Sequence, residues 1–275
     1  MVKLSNLISH LMLPIGLATI ATACTSSHDS SADQINTSLG DTATNQIING
    51  AEITPNQPLS RHIVAIYNPS ARSTCTGTLL QNNIVLTAAH CVDANPKKQW
   101  IVFKTNFSGL TSNETRQVLS AVVSPLWKRN EHLVKSQGDV ALVKFYGTIP
   151  KGYQAASLLP DPRLLKKGLP VIIAGYGISN LVTKKGTGVL RQATVSIAND
   201  KFSETELTID QSRGYGACIG DSGGPAFVFV NGSYYVWGIA NRDHSDSNSD
   251  DGMCNTQGVY ASVNIYAKWI NSNLR

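Results

Sequence analysis

The chain has no stripe of lysine and arginine interleaved with aromatic residues, and that absence removes the main support for nucleic-acid binding. Its 23 Lys and Arg against 18 Asp and Glu leave a formal charge of only +5, scattered along 275 residues. A solvated, mildly basic surface accounts for that balance. No internal repeat is present, which sets aside repeat architectures. Nor is the stretch from Leu7 to Ala23 suited to a permanent membrane span, being short and interrupted by Pro14 and Gly16. Cysteines are few. Five leave one odd, and four of them in pairs allow three connectivities.

What is present reads as an exported globular protein. Hydrophobic residues make up 42% and charged residues 15%, enough to bury the core of one large domain or two small ones. Lys3, the apolar run behind it and the small residues before Cys24 have the form of an export signal over residues 1–23. Ala21-Thr22-Ala23-Cys24 is similar to a bacterial lipobox, in which the cysteine is lipidated, although Leu is more usual where Ala21 stands. Cys24 is therefore the lipidation candidate, and through it the chain would be tethered to a membrane surface. Ordinary signal-peptidase cleavage nearby is the alternative. Residues 24–46 are rich in Ser, Thr, Asp and Asn, with Ile35 and Leu39 the only sizeable apolar side chains before Gln46. Such a segment cannot bury enough surface to offset its ordering entropy, so it reads as a flexible tether or propeptide.

From Ile47 onward the pattern changes to short runs rich in β-branched and aromatic residues between turn signals: 62–67, 78–80, 84–87, 100–103, 118–123 and 140–145, then 171–174, 189–197, 226–230, 234–240 and 258–263. Many short strands at this spacing predict an all-β sandwich or barrel. In the last segment Ile265, Trp269 and Ile270 recur at roughly helical spacing, which predicts a C-terminal helix.

Three motifs lie within this region. Thr87-Ala88-Ala89-His90-Cys91 offers a histidine, Asp139-Val140-Ala141-Leu142 an acid, and Gly216-Ala217-Cys218-Ile219-Gly220-Asp221-Ser222-Gly223-Gly224-Pro225 a serine among glycines. A serine nucleophile needs a base to take its proton, and the base needs a partner that fixes its tautomer. Alone, the last motif could be a surface turn, His90 a structural histidine and Asp139 a strand-start cap. Together, in the order His, Asp, Ser, they resemble the chymotrypsin/trypsin family of serine proteases. The resemblance runs from about Ile47 to the C-terminus.

That resemblance implies two six-stranded antiparallel Greek-key barrels with the active site in the cleft between them and the C-terminal helix packed on the second. By the same resemblance the protease domain would be residues 47–275. The expected roles are nucleophile for Ser222, general base for His90 and orienting carboxylate for Asp139, with an oxyanion hole made by the amides of Gly220 and Ser222. It also selects one connectivity, Cys75 with Cys91 and Cys218 with Cys254, leaving Cys24 unpaired and pointing to an oxidising compartment outside the cytoplasm. Partners are then a polypeptide substrate and an activating protease, and no cofactor or metal is called for. Ile47-Ile48-Asn49-Gly50 resembles the family's activation site, where a freed Ile47 amine would pair with Asp221; Gln46 replaces the usual basic residue before the cut.

The departures gather at the specificity pocket. Trypsin-type members carry Asp six residues before the nucleophile, and here Gly216 stands there, followed by Ala217, with Gly258 leaving the pocket open. Ser-Trp-Gly in many relatives is Asn241-Arg242-Asp243 here, so Asn241 takes the place of a serine that supports the orienting Asp. Asp243 sits at the rim. In the acidic insertion that follows, Asp246, Asn248 and Asp250 alternate like the start of a calcium loop, but the glycine is one place late and Gln257 stands where Glu belongs. A solvated acidic loop is the simpler reading. A catalytically silent binding or adhesion protein on the same fold is the alternative to a protease.

Overall fold

The computed structural model describes residues 47–244 and 254–274. The export signal, the tether with Cys24, and Asp246, Asn248 and Asp250 lie outside the described residues. After the short β1 (Ala51–Glu52), six strands close into a barrel: β2 (Ile63–Asn68), β3 (Ser73–Leu80), β4 (Ile84–Thr87), β5 (Trp100–Val102), β6 (Thr115–Val123) and β7 (Ala141–Phe145). They pair antiparallel in the order β2-β3-β4-β7-β6-β5. A single helical turn, α1 (Trp127–Asn130), interrupts the link from β6 to β7, and β8 (Ser157–Leu158) begins the passage to the second half.

There β9 (Pro170–Gly175), β10 (Arg191–Asn199), β11 (Glu206–Asp210), β12 (Pro225–Val230), β13 (Ser233–His244) and β14 (Gln257–Ser262) form a second closed barrel, because β9 pairs with both β10 and β12. β1 adds to the outside of β10, and β8 adds in parallel to β13. Among the described residues no helix is long and apolar enough to cross a membrane.

Strands such as β2, β4 and β9 read as continuous apolar runs because both of their faces are covered. In β2, Val64 and Ile66 point into the first barrel's interior, while Ile63 and Ala65 join a core shared by both halves. That shared core takes Leu80, Ile84 and Leu86 from the first barrel and Ile172, Phe227 and Val236 from the second. The second barrel has its own interior around Val171, Ile173, Val195, Ile209, Trp237 and Tyr260, and Ile47 packs into it.

Three strands escape the sequence pattern. β1 and β8 are only two residues long, below what periodicity can register. β11 reads Glu-Leu-Thr-Ile-Asp, and an acidic first residue argues against a buried strand; Glu206 is nonetheless fully buried, because Arg242 pairs with it. The C-terminal helix, α2 (Val263–Asn273), is present, but with a different buried stripe. Val263, Tyr266 and Ile270 face inward, whereas Ile265 is 53% exposed. Each full burial of such an apolar side chain contributes about 1.5–3 kcal/mol. The helix packs on β13 and β8 as expected, and it also reaches the first barrel, where the Asn82 amide donates to the Leu274 carbonyl at 2.6 Å.

Candidate active site

β4 and β7 are antiparallel neighbours with Thr87 opposite Ala141, so the residues just beyond one strand's end meet those just before the other's start. His90 sits on the short 3-10 turn Ala89–Cys91 that follows β4, and Asp139 precedes β7 by two residues. The pairing brings them together. Asp139 is buried and its Oδ1 accepts from the His90 main-chain N–H at 2.9 Å. Its Oδ2 lies 2.7 Å from His90 Nδ1, a length typical of a charge-assisted bond. Occupation of Nδ1 leaves Nε2 as the nitrogen open to a nucleophile.

Ser222 comes from the second barrel, on the loop before β12. Two first-barrel residues hold its main chain: the Thr76 N–H donates to the Ser222 carbonyl at 2.8 Å, and Cys91 Sγ rests 3.5 Å from the same oxygen. Cys91 is disulfide-bonded to Cys75 and has no thiol proton, so this second contact is packing. The same bridge means that Cys75, His90 and Cys91, though close together, offer no thiolate pair to a metal. Thr76 Oγ1 also donates to the Gly220 carbonyl at 3.0 Å and accepts from Tyr176 N–H at 3.0 Å, so one threonine of β3 ties the Ser222 loop to the residue that follows β9.

Around Ser222 the amides of Asp221, Gly223 and Gly224 donate to the carbonyls of Cys218, Ala240 and Asp221. Among the described residues, those of Gly220 and Ser222 meet no acceptor, and two unspent amides two residues apart are what a developing oxyanion requires. Gly220 is required there: its φ is +96°, and a Cβ would stand 2.8 Å from the Gly177 Cα.

Asp221 is buried, with one carboxylate oxygen accepting from Gly177 N–H at 2.8 Å and the other from Cys218 N–H at 2.9 Å. Gly175 and Gly177 wall it so closely that a Cβ on either would strike the carboxylate. Desolvation pushes its pKa up to about 7, the two amides only partly opposing it. The segment from Ile47 docks on the same barrel: Ile47 is 2% exposed, and Ile48 N–H donates to the Gly216 carbonyl at 3.1 Å.

Beside Ser222 opens a cavity of about 210 Å³ lined by Ala217, Ile219, Asn241, Arg242, Asp243 and Gly258 among others. The expected pocket residues Ala217, Asn241, Asp243 and Gly258 are thus together. Gly216 is the exception and does not line it. The fully buried Gln211 side chain fills the space against Gly216, where a Cβ would meet its amide carbon at 2.5 Å. Gln211 accepts from Ala217 N–H at 2.9 Å and donates to Asp243 Oδ1 at 3.3 Å. Asp243 Oδ2 accepts from Cys254 N–H at 3.1 Å. Asp243 keeps solvent access as a residue, yet its carboxylate is crowded by these neighbours, and desolvation raises its pKa. Asn241 donates to the main-chain carbonyl of Asp139 at 3.2 Å, not to its carboxylate, and its own Oδ1 is buried without a partner among the described residues.

The family model described as Trypsin matches residues 47–270. The chain belongs to the trypsin family of serine proteases. Chymotrypsin-like elastase family member 1 of Felis catus is 31% identical over 220 residues, covering 72% of this chain and 78% of the relative. The same protein of Homo sapiens is 31% identical over 222 residues, covering 72% and 80%. A chymotrypsin of Phaedon cochleariae is 26% identical over 243 residues, covering 83% and 82%. For a trypsin-family chain, the two disulfides pair as the resemblance implied, Cys75–Cys91 and Cys218–Cys254. In the loop-closure account a bridge of the first one's span contributes roughly 3 kcal/mol.

Thr76 and Gln211 hold the Ser222 loop and the pocket wall without having been legible as site residues. Thr76 stands in a run of small polar residues beside Cys75, and only pairing between the barrels reveals its partners. Gln211 directly follows β11, whose acidic first residue conceals it as a strand.

Proposed function

We propose that this trypsin-family protein is an exported serine endopeptidase in which Ser222 is the nucleophile, His90 the general base and Asp139 the group that orients His90. The observation that carries this reading is the 2.7 Å contact of His90 Nδ1 with the buried Asp139 carboxylate, in a site where Gly220 and Ser222 present free amides. Ser222 Oγ adds to the scissile carbonyl carbon as His90 Nε2 takes its proton, and the oxyanion settles on the two amides. Collapse breaks the C–N bond, His90 returns the proton to the leaving amine, and an acyl-enzyme remains. Water, activated by the same His90, then releases the acid and restores Ser222.

Residues 1–23 act as the export signal and 24–46 as propeptide or tether, with Cys24 the point of lipid attachment if the lipobox is used. Two disulfides fit an oxidising compartment outside the cytoplasm. Cleavage at Gln46–Ile47 by another protease generates the active form. A fluorophosphonate probe tests the reading: it should label Ser222 in chain cut before Ile47. Absence of label on correctly cut, folded protein would make this a silent binding or adhesion protein.

The pocket favours medium apolar or aromatic side chains on the acyl side of the cut bond. The neutral Gln211 amide lies behind the wall, and no carboxylate occupies position 216 to meet a buried cation, which would be costly to leave unpaired. Among the described residues Asp243 is the one carboxylate in the lining, and both its oxygens already accept hydrogen bonds. A peptide-library profile should show apolar residues leading and Asp243→Asn changing their order little. Strong Arg or Lys preference that Asp243→Asn abolishes would reverse the assignment.

A further inference from the structure

The segment that delivers Asp139 has almost no core of its own. Residues 131–135 are all exposed, with Val134 at 74% and Leu133 at 41%. Ser136 and Gly138 both take positive φ, +55° and +76°. A chain so bent and so little buried must be held from elsewhere. The holding group is Glu206. It is fully buried, and its two oxygens accept from Ser136 N–H at 2.8 Å, Gln137 N–H at 3.3 Å and Ser203 Oγ at 3.1 Å.

Glu206 is in turn gripped by Arg242, whose guanidinium donates to Oε1 at 2.9 Å and Oε2 at 3.1 Å, the two-pronged geometry that only arginine provides. A third guanidinium bond runs to the Val134 carbonyl at 2.6 Å. Lys135 adds a further tie, its ammonium 4.6 Å from the centre of the Phe202 ring. Arg242 also lines the cavity, between Asn241, which bonds to Asp139, and Asp243. The pocket wall and the approach to Asp139 therefore share one ionic joint.

Resting on the protease reading above, we propose that Arg242 and Glu206 are positioning residues that fix segment 134–138, and through it the Asp139 carboxylate, against the pocket wall. Neither touches the scissile bond. Their effect on turnover passes through the His90–Asp139 contact. Arg242 itself lines the cavity and so bears directly on substrate fit, whereas Glu206 lies outside the lining.

The test uses cut, full-length protein carrying Glu206→Gln, Arg242→Lys or Arg242→Met. In Glu206→Gln, kcat should fall by about 10–100-fold, the scale of a small misplacement of a catalytic group. KM should stay near wild type, and the downfield proton resonance of the His90–Asp139 bond should move upfield or broaden. Arg242→Lys keeps the charge without the fork and should recover part of what Arg242→Met loses in both readouts. A folded Glu206→Gln protein with unchanged kcat and proton signal would overturn the proposal. So would a loss confined to KM with the signal unmoved, since that is a pocket effect alone. If Glu206→Gln does not fold, Arg242→Met decides on the same two readouts, because Glu206 then keeps its three other donors. Wild-type protein that neither turns over nor takes a fluorophosphonate would count against the protease reading instead; the proton signal of the variants would still report on the joint.

Discussion

Ser222→Ala and His90→Ala should each lower kcat by roughly ten-thousand- to million-fold on peptide ester substrates, and the double variant should be little worse than either. The proton taken from Ser222 Oγ and the bond formed by that oxygen belong to one event, so removing either partner removes the whole step. What survives is the contribution of the free amides at Gly220 and Ser222 and of the pocket, which needs neither side chain. Single variants with turnover near wild type, or losses that simply multiply in the double variant, would remove both residues from the proposed roles. Steady-state kinetics on protein cut before Ile47 reads this directly.

Protein with an intact Gln46–Ile47 bond should turn over about a thousandfold more slowly than the cut form, or worse, because the oxyanion amides depend on how the Asp221 loop is set. Asp221 is enclosed by Gly175 and Gly177, with burial raising its pKa from 3.8 to about 7. The sign follows from that direction. In uncut protein this carboxyl favours the folded state while protonated, a contribution complete below pH 3.8 and lost as pH rises through about 7. A freed Ile47 ammonium would reverse the preference by pairing with the ionised form, and that gain would disappear at high pH as the amine deprotonates. The difference in Tm between cut and uncut protein should therefore widen from pH 4 to pH 7 and narrow again in alkali. Full activity in a chain whose mass shows the bond intact would contradict this.

Most strands are legible in the sequence from local chemistry, whereas the two-barrel arrangement and the proposed roles of His90, Asp139 and Ser222 come from the family resemblance. Runs such as 84–87 and 171–174 are buried on both faces and so show as unbroken apolar stretches, and Ser222 stands among glycines that few other contexts demand. Less legible were features whose reason lies across the molecule. Glu206 looks like a solvent-side charge until Arg242, 36 residues on, is brought beside it. Ile265 has helical spacing with Trp269 yet faces solvent, because the seam between the barrels selects Tyr266 and Ile270 instead. Gly216 reads from the sequence as a pocket residue, but the Gln211 amide that stands against it directly follows a strand the pattern concealed.

The core that Leu86, Val140 and Ile63 share with Phe227, Val236 and Ile270 makes the connecting segment between the barrels mechanically redundant. Residues 146–148 and 151–152 of that connector are exposed, whereas the faces it joins are not. A nick there would yield two fragments, one bearing His90 and Asp139 and the other Ser222, with no covalent bond between them yet the shared apolar core still in place. The enzyme would then be a heterodimer of its own halves, working as one catalyst until something strong enough to melt the seam pulled them apart.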